Sequence, residues 1–336
     1  AMGLIDFRPY VRLKIDGTPV SDLAFSSLSY LSITDTSGFI ADTADVTFSN
    51  MSPVSRFAMP EPGAEFDVAL GYLGKFKRMG IYIADEIEEN SPPRTITAVC
   101  RAKAQAETQG GYAPIHQHKT RSWPAGLTLG AIAKTIASEN GLKSGITAAA
   151  ASIMPGHIDQ IDESDLSVLT RVAILHDLVA KPAGGVLFIG QRAAGTNASG
   201  GSIPTISLWE TQVTRWSMSR SLGGVTGSVI ATYRDLSTAQ DIEVTVGSGT
   251  PVRRLRQRFR SEREARTVAT TEARRAGRTK EMLTLDLPGN PNIVADGKVN
   301  FFGASSAVTG EWLVETATHE VSLDGYKTMI TAQRPE

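Results

Sequence analysis

His116 and His118 are spaced i, i+2, so on a strand they would share a face. With Cys100 or His157 they could bind a transition metal. That ligand set is incomplete, and two polar loop residues beside Pro114 are the better reading. A second constellation is acidic: Asp159, Asp162, Glu163 and Asp165. Four close carboxylates could hold a cation, but they lack the Asp-x-Asp-x-Asp-Gly spacing of a calcium loop. They read instead as negative charge near a helix N-terminus, where each contributes ~0.3–1 kcal/mol when partly exposed.

The third constellation is basic. Arg253, Arg254, Arg256, Arg258, Arg260, Arg263, Arg266, Arg274, Arg275, Arg278 and Lys280 crowd one stretch, against Glu262, Glu264 and Glu272. Contact with DNA or with an acidic partner is one reading. A solvated helix, its arginines paired to Glu or covering a subunit seam, is the other. The three Glu residues and the lack of nearby aromatics favour the second. A dense basic lining would also hold sliding DNA too tightly, so no arginine is assigned to a pore.

Other chemistry is missing. Gly303-Ala304-Ser305-Ser306-Ala307 only approaches a nucleophile elbow. No phosphate loop ending in Gly-Lys-Ser/Thr and no His-Glu-x-x-His pair occurs. Gly247-Ser248-Gly249 reads as a turn, and Asn197-Ala198-Ser199, which fits a glycosylation acceptor, as a loop. Carboxylates for glycoside hydrolysis are plentiful, but no pair can be located. No catalytic, cofactor-binding or metal residue is therefore assigned, and no cofactor is expected. Trp123, Trp209, Trp216 and Trp312 read as core or interface anchors.

The elements that must carry these residues follow from the bulk numbers and the pattern. The chain has 336 residues, 41% hydrophobic and 21% charged, enough for two or three domains. Thirty-four Lys and Arg balance 35 Asp and Glu, a net charge of −1 that argues against a general nucleic-acid binder and leaves self-association unopposed. Cys100 is the single cysteine, so no internal disulfide is possible. Ala1-Met2-Gly3 reads as a cloning remnant, with no signal-like apolar core after it. No run approaches the ~20 apolar residues of a membrane helix. A protein assembled in a bacterial cytosol is the expectation.

Residues 9–104 alternate as short strands: Tyr10–Ile15 ending in Asp16-Gly17, then Leu28–Ile33, Ala44–Phe48, Phe66–Leu70, Lys75–Ile83 and Arg94–Cys100. Leu129, Ile132, Ala133 and Ile136 then fall at helical spacing, with Thr128 as N-cap and Gly141 as stop. A second helix is predicted over about 164–178, capped by Ser164, with Leu166, Leu169, Val172 and Ala173 inward. Gly184-Gly185 turns into the buried strand Val186–Ile189, and 193–204 reads as a connector. Strands resume at Ile206–Leu208, Val213–Met218, Val225–Tyr233 and Ile242–Val246. A helix follows from Ser261 to Gly277, with Glu264 closing a capping box. Trp312-Leu313-Val314 and Tyr326–Thr331 flank the hairpin signal Asp324-Gly325. The fold class is mainly β with an α+β insertion: a first β-barrel over 4–104, an α/β module over 105–200, and a second, similar antiparallel barrel over 201–336 carrying the helix 261–277.

The stretch from His157-Ile158-Asp159-Gln160 through Glu163-Ser164-Asp165 to Leu169-Thr170-Arg171 resembles the phage late control D proteins, the baseplate hub proteins of contractile tails, which go with the hub portion of type VI secretion spikes. Gly185-Val186-Leu187-Phe188, the approach from Trp123 to Leu129, and the C-terminal Trp312-Leu313-Val314, His319 and Gly325-Tyr326-Lys327-Thr328 share the likeness, in the same order over about 9–332. Ile174-Leu175-His176-Asp177 departs from it, where members often have a more polar turn before a Gly.

The resemblance implies two similar barrels per chain and a homotrimeric ring of six barrels with pseudo-sixfold symmetry around a channel. The hexameric tail tube would dock on one side, the trimeric spike on the other, and other baseplate proteins around them. DNA would transit without specific binding, in a virion baseplate assembled in the host cytoplasm. Two rivals are a tail-borne cell-wall hydrolase, which needs a pocket with two convergent carboxylates, and a carbohydrate-binding module, which needs an exposed aromatic platform. An aromatic content of 7% gives the last little support.

Overall fold

Strand-length alternation dominates both ends of the chain, and the computed structural model describes residues 9–20, 26–38, 41–49, 60–103, 114–183, 185–191, 203–221, 226–278 and 281–335. The N-terminal strands are β1 (Pro9–Ile15), β2 (Thr18–Pro19), β3 (Leu28–Thr36), β4 (Thr43–Ser49), β5 (Glu65–Tyr72), β6 (Lys75–Asn90) and β7 (Thr95–Ala102). Asp16 and Gly17 both have positive φ, 49° and 75°, the backbone of a type I′ turn, so the predicted tight turn joins β1 to β2.

The middle region holds β8 (His118–Trp123), α1 (Leu129–Glu139), β9 (Lys143–Ile146), α2 (Ala148–Ala151), β10 (Ile158–Ser164), α3 (Asp165–Leu175), β11 (Leu178–Ala183) and β12 (Val186–Gln191). Both predicted caps form: Thr128 and Ser164 accept hydrogen bonds from the amides of Ala131 and Ser167. Gly141 follows α1 with a φ of 67°, which any side chain would resist. The inward stripe of α3 is Val168, Leu169, Val172 and Ala173, with Leu166 only partly buried. These helices close over β8–β12 around one core that includes Ile132, Ile136, Leu169 and Leu187.

The C-terminal region holds β13 (Ile206–Trp209), β14 (Arg215–Arg220), β15 (Ser228–Asp235), β16 (Gln240–Gly247), β17 (Val252–Phe259), α4 (Glu262–Arg278), β18 (Glu281–Pro288), β19 (Lys298–Phe302), β20 (Gly310–Ser322) and β21 (Gly325–Gln333). The predicted hairpin forms, with Leu323-Asp324 at its tip and Gly325 already paired with Ser322. Leu323 is 92% exposed there.

The two strand-rich ends do not stand apart. β3 pairs antiparallel with β20, from Tyr30↔Ser322 to Thr36↔Thr316. One 13-stranded sheet results, in the order β14-β18-β21-β20-β3-β4-β7-β6-β5-β1-β2, with β19 and β13 branching from β20. It carries two cores, one around Leu31, Val46, Phe66 and Leu70 and one around Leu285, Phe301, Trp312 and Ile330. The inserted element in the C-terminal half is larger than the predicted helix. β16-β15-β17 form a separate three-stranded sheet, and α4 packs on it through Ala265, Val268 and Ala269. The expected domain boundaries near 104 and 200, the connector up to residue 202, Asn197 and Val225 lie outside the described residues. No helix among the described residues is long and apolar enough to cross a membrane.

Candidate functional site

The motif around 157–171 builds a buried charge network. Asp165 opens α3 and its side chain is fully buried. Its carboxylate accepts hydrogen bonds from Lys119 Nζ and Arg121 Nη2, both at 2.6 Å, from Asn140 Nδ2 at 2.9 Å and from Gln160 Nε2 at 3.0 Å. Burial opposes its charge, but the hydrogen bonds from Lys119, Gln160 and Asn140 outweigh that and hold its carboxyl below the usual range. Glu139, at the end of α1, bridges the same two cations: Lys119 at 3.0 Å and Arg121 at 2.8 Å. Arg121 also lies over the Trp123 ring at 4.2 Å, and Arg121 Nε and Trp123 Nε1 both donate to Gln160 Oε1. The network ties β8, α1, β10 and α3 together by charge-assisted bonds.

The other acidic residues are spent locally. Asp159 accepts from Ser122 and meets His157 at 2.8 Å. Asp162 faces His118 at 3.3 Å, and Glu163 binds Arg171 and Ser167. Only Asp165 of the four sits in the first turn of α3, as expected for charge at a helix N-terminus.

The histidines and the cysteine are not brought together. His116 ends a short 3₁₀ turn, Pro114–His116, so it shares no strand face with His118. Cys100 is buried on β7, and burial pushes its thiol up to about 12. Among the described residues no cluster of three or more His, Cys, Asp or Glu could hold a metal.

A second site is part-buried and has no counterpart among the sequence motifs. Lys181, from β11, reaches Asp42 at 2.5 Å, Asp35 at 3.4 Å and the Thr36 carbonyl at 3.1 Å, and so pins the middle module to the large sheet. Burial works against its ammonium charge, yet Asp35 and Asp42 outweigh that and raise its pKa. Asp42 is raised to about 6, first by burial and then by Asp35, against the pull of Lys181. Nearby, Asp35 also accepts from the Ala295 amide, and Ser37 donates to Asp296, so the seam reaches the C-terminal half.

His319, noted in the C-terminal motif, is wholly buried. Its Nε2 donates to the Ile293 carbonyl at 3.1 Å, while Nδ1 meets Tyr326 Oη at 2.9 Å and Thr328 Oγ1 at 3.1 Å. Burial lowers its pKa to about 4, against the Ile293 bond, so the ring is neutral. The motif residues Tyr326 and Thr328 are thus the partners of His319.

In the Arg-rich stretch, residues 252–259 form strand β17 and only the rest is helical. Ser261 caps α4 by accepting from the Glu264 amide, while Glu264 accepts from Arg260 rather than from Ser261, a capping box displaced by one residue. Arg266 pairs with Glu262, Arg253 and Arg275 with Glu272, Arg254 with Glu243 and Arg258 with Asp241. The pairing to Glu follows the solvated-helix expectation. Trp123 and Trp312 are buried, Trp216 is half-buried with Nε1 donating to Glu210, and Trp209 stays 55% exposed beside Phe302.

The Asp165 network was open to recognition in one respect. Lys119, Arg121 and Trp123 alternate along a six-residue strand, which puts two cations and a ring on one face. Nothing local marks Lys181, Asp35 or Asp42, which meet across about 140 residues.

No protein-family model matches the chain. Over 202 residues it is 30% identical to the probable baseplate hub protein of Escherichia phage P2, covering 60% of this chain and 50% of that one. The probable baseplate hub protein of Escherichia phage 186 matches equally over 60% and 49%. The chain therefore spans about half the length of the curated relatives it matches. Among solved structures, the 43 kDa tail protein of prophage MuSo2 from Shewanella oneidensis superposes with a TM-score of 0.73 at 17% identity, over 97% of this chain and 98% of that one. The tail protein from Neisseria meningitidis MC58 gives 0.71 at 14% identity, over 98% and 97%. The E. coli c3393 protein, a component of the type VI secretion system, gives 0.56 at 13% identity, over 96% and 77%. The chain is thus similar in sequence, over 202 residues, to two probable phage baseplate hub proteins, and it shares its fold with phage tail and type VI secretion proteins.

Proposed function

We propose that the chain is a structural baseplate hub of a contractile phage tail, or of a related injection system, and that it has no catalytic role. The observation that carries this reading is the 30% identity to two probable baseplate hub proteins, joined to a shared fold along almost the whole chain. Three copies form a ring around the central channel and adapt a sixfold tail tube to a threefold spike. Two strand-rich halves per chain, each with its own core on one sheet, support that geometry, because three chains then offer six comparable surfaces. The partners are the tube protein, the trimeric spike and other baseplate proteins, and DNA passes without specific binding. Residues 4–104 and 201–336 are the ring-forming parts, and 105–200 is the module between them. The protein resides in the virion baseplate after assembly in the host cytoplasm.

The test is co-purification with the tube and spike proteins of the same tail. Capture of both by the full chain is expected. Capture of neither, from a chain shown to be folded, would overturn the reading.

A further inference from the structure

Charge is unevenly divided along the chain. Residues 226–278 hold eleven arginines and six carboxylates, so that unit is +5 and the remainder −6 within a chain of net −1. The unit is the small sheet β16-β15-β17 with α4 on one face. Arg263, Arg266 and Arg274 line one open groove along α4, with Thr267 and Thr270 between them and Glu262 and His176, the latter from the end of α3, also in its lining. They fall at helical spacing, and at 1.5 Å per residue the stripe is ~16 Å long. Arg263 carries no ion pair among the described residues, and neither does Arg256, exposed on β17. No large apolar side chain lines the groove, so whatever seats there is held by charge.

The large sheet presents the opposite pattern. Glu86 pairs with Val99, Val99 with Asp45, Asp45 with Ser32 and Ser32 with Glu320. Residues paired in register share a sheet face, so Glu86, Asp45 and Glu320 form one row across β6-β7-β4-β3-β20. At ~4.8 Å per strand the row is ~19 Å long, close to the arginine stripe. Glu88 lies beside it in the next row, through Thr97 and Thr47. Glu86 and Glu88 are exposed and Asp45 is half-buried, and none of the three carries an ion pair among the described residues. Burial raises the Asp45 carboxyl, so this face favours a cation that would relieve it. Lys327 flanks the row at its Glu320 end, and Arg101, two residues along β7 from Val99 on the same face, lies beside it paired with Asp85.

We infer that α4 of one copy docks along the Glu86–Asp45–Glu320 row of a second copy. The inference rests on the self-association proposed above and names its surface. The two faces differ, so the contact is heterologous and propagates around a ring. The acid row and the arginine stripe are opposite in sign and match in length and linear arrangement, and the chain itself supplies the complement to its basic unit.

Sedimentation of the full chain tests this, with wild type, R263E/R266E, E86K/E88K and the four substitutions combined. Wild type should self-associate at about 0.05 M salt and weaken toward about 0.5 M, as screening shortens. Each reversed pair should raise the dissociation constant about 10-fold or more, and the combined chain should recover most of the loss. All four positions lie at the surface, and circular dichroism melting checks that each variant folds. A wild-type oligomer that neither reversal weakens overturns this docking surface and leaves the ring itself standing. A folded wild type that stays monomeric at low salt overturns the docking of copies, while the hub reading is then judged on tube and spike capture.

Discussion

Arg121 and Asp165, 44 residues apart, meet at 2.6 Å with the Asp165 carboxylate fully buried, so a strand and the first residue of a helix are fixed by one ion pair. Lys119, Asn140 and Gln160 complete the shell, which leaves the charge compensated although it is out of water. The shared motif therefore reads as architecture: its polar residues are spent on holding the middle module together.

Replacing Asp165 by Ala leaves Lys119 and Arg121 with Glu139 alone and takes the acceptor from Asn140 and Gln160, and it should cost about 3–5 kcal/mol, measured by denaturant unfolding. The folded carboxyl lies below its unfolded range, so its stabilisation is present above the unfolded value of about 3.9 and is lost as pH falls through the folded one. The difference between wild type and Asp165→Ala should hold from about pH 5 to pH 8 and shrink only in stronger acid. A loss of under about 1 kcal/mol at neutral pH would show the network to be peripheral.

Asp42 makes the opposite prediction. Its folded value, about 6, lies above the unfolded one, so the stability it contributes is full below about 4 and disappears as pH rises through 6. Asp42→Asn should flatten the stability profile between pH 4 and 7 relative to wild type. Lys181→Met should destabilise by about 3–5 kcal/mol at neutral pH, because Asp35 and Asp42 lose their shared cation. The same variant should recover part of that loss at pH 5, where Asp42 is protonated. Parallel profiles for wild type and Asp42→Asn would contradict the seam as described.

Cys100 should resist labelling in the folded chain. Its side chain is buried and its thiol is pushed up to about 12, so little thiolate exists at pH 8. Reaction with an aromatic disulfide reagent should track unfolding by denaturant. Full labelling within seconds of mixing with native protein would contradict the burial.

Gly289 lies against the aromatic ring that holds His319. A Cβ there would fall 2.0 Å from Tyr326 Cδ1, and the ring cannot retreat while its hydroxyl is bonded to His319. Gly289→Ala should therefore destabilise by about 1–3 kcal/mol, the range of overpacked cores, despite adding only a methyl group. A neutral melting temperature would mean the ring moves freely.

Local rules reached the elements whose causes are local. Thr128, Ser164 and Gly141 mark helix ends by short-range hydrogen bonds and backbone freedom, and each does so in the structure. The Asp16-Gly17 turn and the C-terminal hairpin are legible for the same reason. The β3–β20 ladder is not, because nothing near Tyr30 records a partner 292 residues away at Ser322. β17 is not legible because Arg254 and Arg258 sit on its outer face and are stabilised by Glu243 and Asp241, which leaves Val252, Leu255 and Phe259 as its apolar beats, with Val252 exposed. Lys181 carries no local mark, and only tertiary placement puts it between two carboxylates.

Solution mass by light scattering, across a wide range of protein concentration and then with the spike protein of the same tail, tests the hub account most directly. The account predicts a species three times the 35.9 kDa chain, alone or once the spike is present. A folded chain that stays at one copy in both conditions would contradict it.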